Sequence, residues 1–205
     1  MKKASPIYNA LAALAKLLHD SSAKWIVGGS AGLLLRGLPL SAMPRDIDIY
    51  CDEEDLPFIY AALQKYAVDA PHYSETNIYR STLAHFEIEG MPIELVGGFK
   101  VDAAKSSYEV RVSELLIPFG ERFSIPDCRY PLMVVPLAHE LWFNQLRGRE
   151  DRVELIAKAF MKMRGIHEPA LQAIEKSNHF TAAAVDQVHQ IISLEEAGEV
   201  EWTQR

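Results

Sequence analysis

Cysteine is nearly absent from this 205-residue chain: Cys51 and Cys128 are the only two, and neither has a second cysteine or a histidine at ligand spacing. That excludes a disulfide framework and a structural zinc site. No apolar run reaches the roughly 20 residues that a membrane-spanning helix needs. Lys2-Lys3 leads into an amphipathic segment, not a secretory apolar one, so the chain reads as a soluble, cytoplasmic protein without a membrane partner. Basic stripes with interleaved aromatics are missing too. Lys and Arg total 21 against 28 Asp and Glu, a formal net charge of −7, whereas a polyanion such as RNA normally meets a basic surface. Nucleic acid is therefore not favoured as a partner. The seven histidines are scattered. His139-Glu140 and His167-Glu168 resemble the start of a zinc-protease helix, but Phe143 and Leu171 occupy the places of the second histidine.

What is present is ample apolar material, 49% of residues, arranged in two different periods. Ser5-Pro6 has the form of an N-cap followed by proline at the first helical position, and Ile7, Leu11, Leu14 and Leu18 then recur on one helical face. Lys24 to Val27 reads as a short buried strand that breaks at Gly28-Gly29. Ser30 is read as the N-cap of a small-residue helix, 31–36. A turn-rich crossing with Pro39 and Pro44 delivers the chain into a second strand, 46–51. Side chains alternate in a strand, so Asp46, Asp48 and Tyr50 share one face while Ile47, Ile49 and Cys51 share the other. Leu83 to Glu89 and Pro92 to Val96 read as two strands joined at Gly90. In the second, Ile93 and Leu95 turn to the core and Glu94 projects opposite.

These pieces carry chemistry together. A glycine turn at a helix start exposes backbone N–H groups, which suits phosphate, and two carboxylates on one strand face suit Mg²⁺. Glu94 adds a third acid on the same side if its strand neighbours the Asp46–Asp48 strand in one sheet. Either motif alone is ordinary, an everyday turn or a solvated strand face. Their joint order is what carries the argument.

That order, Val27-Gly28-Gly29-Ser30, then Asp46-Ile47-Asp48, then Glu94, resembles the nucleotidyltransferase superfamily with the polymerase-beta-like palm, in its minimal, AbiEii-like and antibiotic-modifying branches. The resemblance is specific over about residues 24 to 97. It implies an α+β fold: a palm of mixed sheet with flanking helices over residues 1–130, and a C-terminal helical bundle over 131–205 that closes the acceptor side of the cleft. It also implies a mechanism in which two Mg²⁺ ions are held on an NTP, an acceptor hydroxyl attacks the α-phosphorus, and pyrophosphate leaves. By residue, Gly28, Gly29 and Ser30 contact the triphosphate, and Asp46 and Asp48 ligate the metals. Glu94 is either a ligand of the metal nearer the acceptor or the base for its hydroxyl. Arg36 and Arg45 flank the site and are placed to neutralise phosphate. Arg36 has an equal second reading, as a helix C-terminal charge favoured by the macrodipole. The Ser30–Asp46 spacer is longer than is usual in the family.

From Pro136 onward the pattern is helical, with Leu137, Leu141, Trp142 and Leu146, a break at Gly148, then Val153, Ile156, Ala157, Phe160 and Met161. Two further helices are expected over 168–176 and 181–197. Arg147, Arg149, Asp151, Arg152 and Glu154 stand at the helix junction. In AbiEii-like relatives such residues face the triphosphate, but i,i+4 pairing on a solvated helix face explains them as well. The run Asp52-Glu53-Glu54-Asp55 reads mainly as a cap for a helix over 56–66. Net negative charge favours a small or cationic acceptor. A toxin-type enzyme acting on RNA or protein is the variant, and a non-catalytic nucleotide-sensing or partner-binding module on the same fold is the alternative class. The sequence carries nothing that sets an oligomeric state.

Overall fold

The computed structural model describes residues 6–203, with side chains through 193. Lys2, Lys3 and Ser5, the expected N-cap, lie outside the described residues. The chain divides into two compact units: one comprises the residues up to Phe99 with Val110–Val135, the other Lys100–Glu109 with the residues from Pro136 onward. Among the described residues no helix is long and apolar enough to cross a membrane.

In the first unit, α1 (Pro6–Leu17) buries Ile7, Leu11 and Leu14 as its periodicity requires. β1 (Trp25–Gly28) runs directly into α2 (Gly29–Leu35), and β2 (Ile47–Cys51) returns antiparallel to β1. After α3 (Leu56–Leu63) come β3 (His72–Glu75), β4 (Tyr79–Ile88) and β5 (Met91–Ala103), the last lying parallel to β2. β6 (Ser106–Glu109) pairs with the far end of β5. A π-type turn (Val112–Leu116), the short α4 (Ile117–Phe119), β7 (Glu121–Phe123) and β8 (Leu132–Val134) follow. The sheet order is β3-β4-β5-β2-β1-β8-β7, with parallel and antiparallel neighbours, so the expected mixed sheet with flanking helices is what forms. Its core face carries Val27, Ile47, Ile49, Ala84, Phe86, Ile93 and Leu95 against the apolar stripe of α1 and against Ile59 and Leu63 of α3.

Some boundaries differ from expectation for physical reasons. β2 begins at Ile47, one residue after Asp46, because its ladder partners run out: β1 turns into α2 after Gly28, and the pairing with β5 starts at Ile47↔Ile93. β5 continues past Val96 through Gly97-Gly98, where Gly98 takes φ +58° and the strand carries on. Strands β3, β6, β7 and β8 have three or four residues each, too few to show a period.

In the second unit, Lys100–Ala103 of β5 and β6 form a hairpin. Ser107 and His179 exchange two backbone hydrogen bonds, and Asn178 Oδ1 accepts the Glu109 N–H at 2.8 Å, which fastens the hairpin to the helices. These are α5 (Leu137–Leu146), α6 (Glu150–Lys162), α7 (Arg164–Ser177) and α8 (Ala182–Thr203). α7 starts four residues before the expected Glu168 and takes Pro169 into its interior. Thr181 caps α8 through its hydroxyl, which accepts the Ala184 N–H at 3.3 Å. In the core Phe180 stacks on Trp142 at 3.8 Å, and buried His139 shares a 2.7 Å hydrogen bond through Nδ1 with the Tyr108 hydroxyl. Burial pushes the His139 pKa down to about 3.

Candidate active site

The site is built by register. Gly28 of β1 pairs with Asp48 of β2, and Asp48 pairs with Glu94 of β5, so the three stand in one row across adjacent strands roughly 4.8 Å apart. Their neighbours Ile47, Ile49, Ile93 and Leu95 are fully buried on the core face, which puts Asp48 and Glu94 together on the other. Both acids are partly exposed, and Asp46, in the bend just before β2, is exposed beside Arg45.

The glycine turn and the acid strand touch. Gly29 has φ +59°, and a Cβ there would lie 2.0 Å from Asp48 Oδ2, so only glycine admits the carboxylate at this place. Ser30 was expected to cap α2. Gly28 holds the N-cap position instead, with no side-chain cap, and Ser30 sits inside the first turn, because the left-handed Gly29 lets the helix start directly at the strand end.

Arg36 is engaged by residues of β7 and by the residue after β8. Its side chain is 5% exposed, donates to Glu121 Oε1 at 2.6 Å and to the Val135 carbonyl, and lies over the Phe123 ring. It ties the end of α2 to β7 and to the residue after β8. The acid run also acts elsewhere than expected. Asp52 accepts the N–H groups of Val112 (2.7 Å) and Ser113 (2.8 Å) and caps the π-type turn, while Asp55, at the start of α3, makes no side-chain cap. Glu53 accepts the Thr82 hydroxyl at 2.8 Å. In the second unit, Asp151 receives Arg149 at 3.3 Å, which lowers its pKa, and Arg147 lies over the Phe143 ring.

One pair of residues escaped the sequence reading. Asp69 grips His85 twice, its Oδ1 accepting the backbone N–H at 2.7 Å and its Oδ2 lying 2.6 Å from ring Nδ1, while His85 Nε2 lies 3.5 Å from Glu94 Oε2. The hydrogen bond to Asp69 raises the His85 pKa against the pull of burial, with Glu94 adding to the rise. Partial desolvation pulls the Asp69 carboxyl up, but the backbone N–H and ring of His85 outweigh it and hold the pKa below its ordinary value. The available signal was alternation: in Ala84-His85-Phe86 the histidine occupies the face opposite the core.

Among the described residues no three carboxylate, imidazole or thiolate groups converge tightly enough to hold an ion by themselves. The donor set still fits Mg²⁺, a hard ion that takes oxygen ligands and is usually held by one or two carboxylates, with waters and substrate phosphates completing its shell. Asp48 and Glu94 offer such oxygens on one partly exposed face of the sheet, and the exposed Asp46 stands two residues before Asp48.

Residues 10–113, just over half of the chain, match the family model described as aminoglycoside-2''-adenylyltransferase. No curated protein matches the sequence. Among solved structures, a candidate nucleotidyltransferase of Thermotoga maritima aligns with TM-score 0.57 and 21% identity over 74% of this chain and 91% of its own. The antibiotic-resistance factor ANT(2'')-Ia aligns in solution with TM-score 0.51 and 13% identity over 89% of this chain and 96% of its own. Its crystal form with adenylyl-2''-tobramycin aligns with TM-score 0.50 and 12% identity over 82% and 99%. At these identities the likeness is one of fold.

Proposed function

From the premise that the chain belongs to the aminoglycoside-2''-adenylyltransferase family, and so to the nucleotidyltransferases, we propose that it moves a nucleoside monophosphate from an NTP to the hydroxyl of a small molecule, with release of pyrophosphate. The observation that carries this reading is the row Gly28–Asp48–Glu94, with Gly29 pressed against the Asp48 carboxylate.

In this reading Asp46, Asp48 and Glu94 hold two Mg²⁺ ions, which when bound neutralise the triphosphate and polarise its α-phosphoryl group. Gly28, Gly29 and Ser30 receive the phosphates on backbone N–H groups at the start of α2. Glu94, at the far end of the row from the glycines, serves the side where the acceptor enters. The acceptor oxygen forms its bond to the α-phosphorus as the bond to the bridging oxygen breaks, pyrophosphate carries away that electron pair, and the hydroxyl proton passes to a carboxylate of the row. Arg45, exposed beside Asp46, would serve to meet phosphate charge. Net charge of −7 suits an amine-bearing acceptor better than a nucleic acid. A cytoplasmic setting supplies the NTP.

Calorimetric titration of each NTP, with and without Mg²⁺, into wild type and Asp46→Ala/Asp48→Ala tests the reading. Metal-dependent binding that the double variant loses is expected, and acceptors are then screened by pyrophosphate release. Absence of metal-dependent binding by the wild type overturns it.

A further inference from the structure

We propose that His85, clamped by Asp69, is the positioning residue for the third acid, Glu94. The inference rests on Glu94 holding metal as proposed above. Asp69 reaches both the main chain and the ring of one residue: Oδ1 takes the His85 N–H at 2.7 Å and Oδ2 takes Nδ1 at 2.6 Å. Asp69 and Glu94 are carboxylates and accept only, so both ring nitrogens donate, Nδ1–H to Asp69 and Nε2–H toward Glu94, and the ring cannot turn over without losing the Asp69 bond. The strand fixes the Cα, the two bonds fix the ring plane, and Nε2 is thereby presented to Glu94 Oε2 at 3.5 Å.

Glu94 needs such a fixture more than Asp48 does. Asp48 has a short side chain wedged against Gly29, where its carboxylate already has a defined seat. Glu94 has one more rotatable bond, its side chain is 41% exposed, and on an open sheet face its carboxylate would sample several rotamers. Contact at Oε2 selects among them and leaves Oε1 for the ion. Metal-binding carboxylates are commonly oriented in this way by an outer partner, and loss of such a partner typically costs roughly 10–100-fold in metal affinity. Asp69 sits after α3 in the loop before β3, and the Ala67–Phe86 bridge with the Val68 N–H on the His85 carbonyl anchors that loop to β4. The fixture is thus part of the sheet edge and not a chance surface pair.

The test is Mn²⁺ binding, read by EPR, on wild type, Glu94→Gln, His85→Ala, His85→Phe and His85→Ala/Glu94→Gln, with thermal melting of each. His85→Phe keeps the ring volume and strand preference, so a weakened site in a protein that melts normally does not report unfolding. We expect each His85 variant to bind Mn²⁺ about 10-fold more weakly, and the double variant to bind no more weakly than Glu94→Gln alone. His72→Ala, which alters the neighbouring exposed histidine 4.0 Å from Asp69, should leave affinity unchanged. Wild-type affinity in both His85 variants while Glu94→Gln loses it, or additive losses in the double variant, would overturn the positioning role. Wild-type affinity in Glu94→Gln would remove Glu94 from the metal and overturn the inference while leaving Asp46 and Asp48 in place. Retained binding in Asp46→Ala/Asp48→Ala would instead sink the metal site itself.

Discussion

Two groups of polar side chains in this chain meet opposite fates. In the first unit, Asp48 and Glu94 stand side by side on one face of the sheet, partly exposed. In the second, Tyr108 and His139 face each other at 2.7 Å with no solvent exposure at all. Both groups arise from polar residues on otherwise apolar elements. The difference lies in what remains available afterwards. A sealed pair is held neutral by the cost of burying charge, so it adds to packing and is closed to chemistry. Carboxylates on an open face keep their charge and spare lone pairs, which is what a cation or a phosphate-bound ion requires. Accessibility, rather than polarity, separates a site from a core.

The largest test of that contrast is Asp48→Asn, which removes charge at constant volume. Nucleotidyl transfer should fall by more than the roughly 100-fold that loss of a metal's outer partner costs, with the melting temperature unmoved. Activity at the wild-type level would detach the row from the chemistry. Next comes Gly29→Ala, which places a Cβ 2.0 Å from Asp48 Oδ2 at φ +59°. A stability loss of about 2 kcal/mol or more by denaturant melts, together with weakened NTP binding, is expected.

Arg36→Met sharpens the comparison, since this residue lies close in sequence to the glycine turn yet is committed elsewhere. Loss of its bonds to Glu121 and the Val135 carbonyl should cost about 2 kcal/mol while NTP affinity stays the same. A large fall in affinity with little change in stability would return Arg36 to the phosphates.

The closed pair is probed by pH. Because the folded His139 pKa is about 3, below the unfolded value near 6.5, the neutral ring's contribution is complete above pH 6.5 and is lost as pH falls toward 3. The loss should reach about 2 kcal/mol by pH 5, at about 1.4 kcal/mol per pH unit. His139→Gln, weaker at pH 7, should flatten that acid limb. An unchanged acid limb would mean that His139 titrates normally.

Legibility in the sequence followed the range of the interaction. Ile47-Asp48-Ile49 and Ile93-Glu94-Leu95 announce their two faces through a period of two, and each triplet holds that pattern in the sheet. Gly28-Gly29 announces a turn. What no local pattern carried was the start of β2 at Ile47, decided by where two partner strands run out, or the course of Arg36 to a glutamate 85 residues away. Asp52 capping a turn 60 residues on is of the same kind, as is the Lys100–Glu109 hairpin that joins the helical unit by its contacts. His85 and Asp69 are 16 residues apart, and only the docking of their loop on β4 makes them a pair.

The sequence by itself therefore determined the alternation that separates acids from core, the glycines that admit a left-handed turn, and the family to which their order points. Those properties reside in single residues and near neighbours, and short-range sterics and burial enforce them. The tertiary structure alone decided that Gly28, Asp48 and Glu94 fall in one row, that Gly29 seats the Asp48 carboxylate, and that a histidine reaches the third acid. Register between strands distant in the chain is a property of the closed sheet, where the packing of many side chains at once selects one alignment.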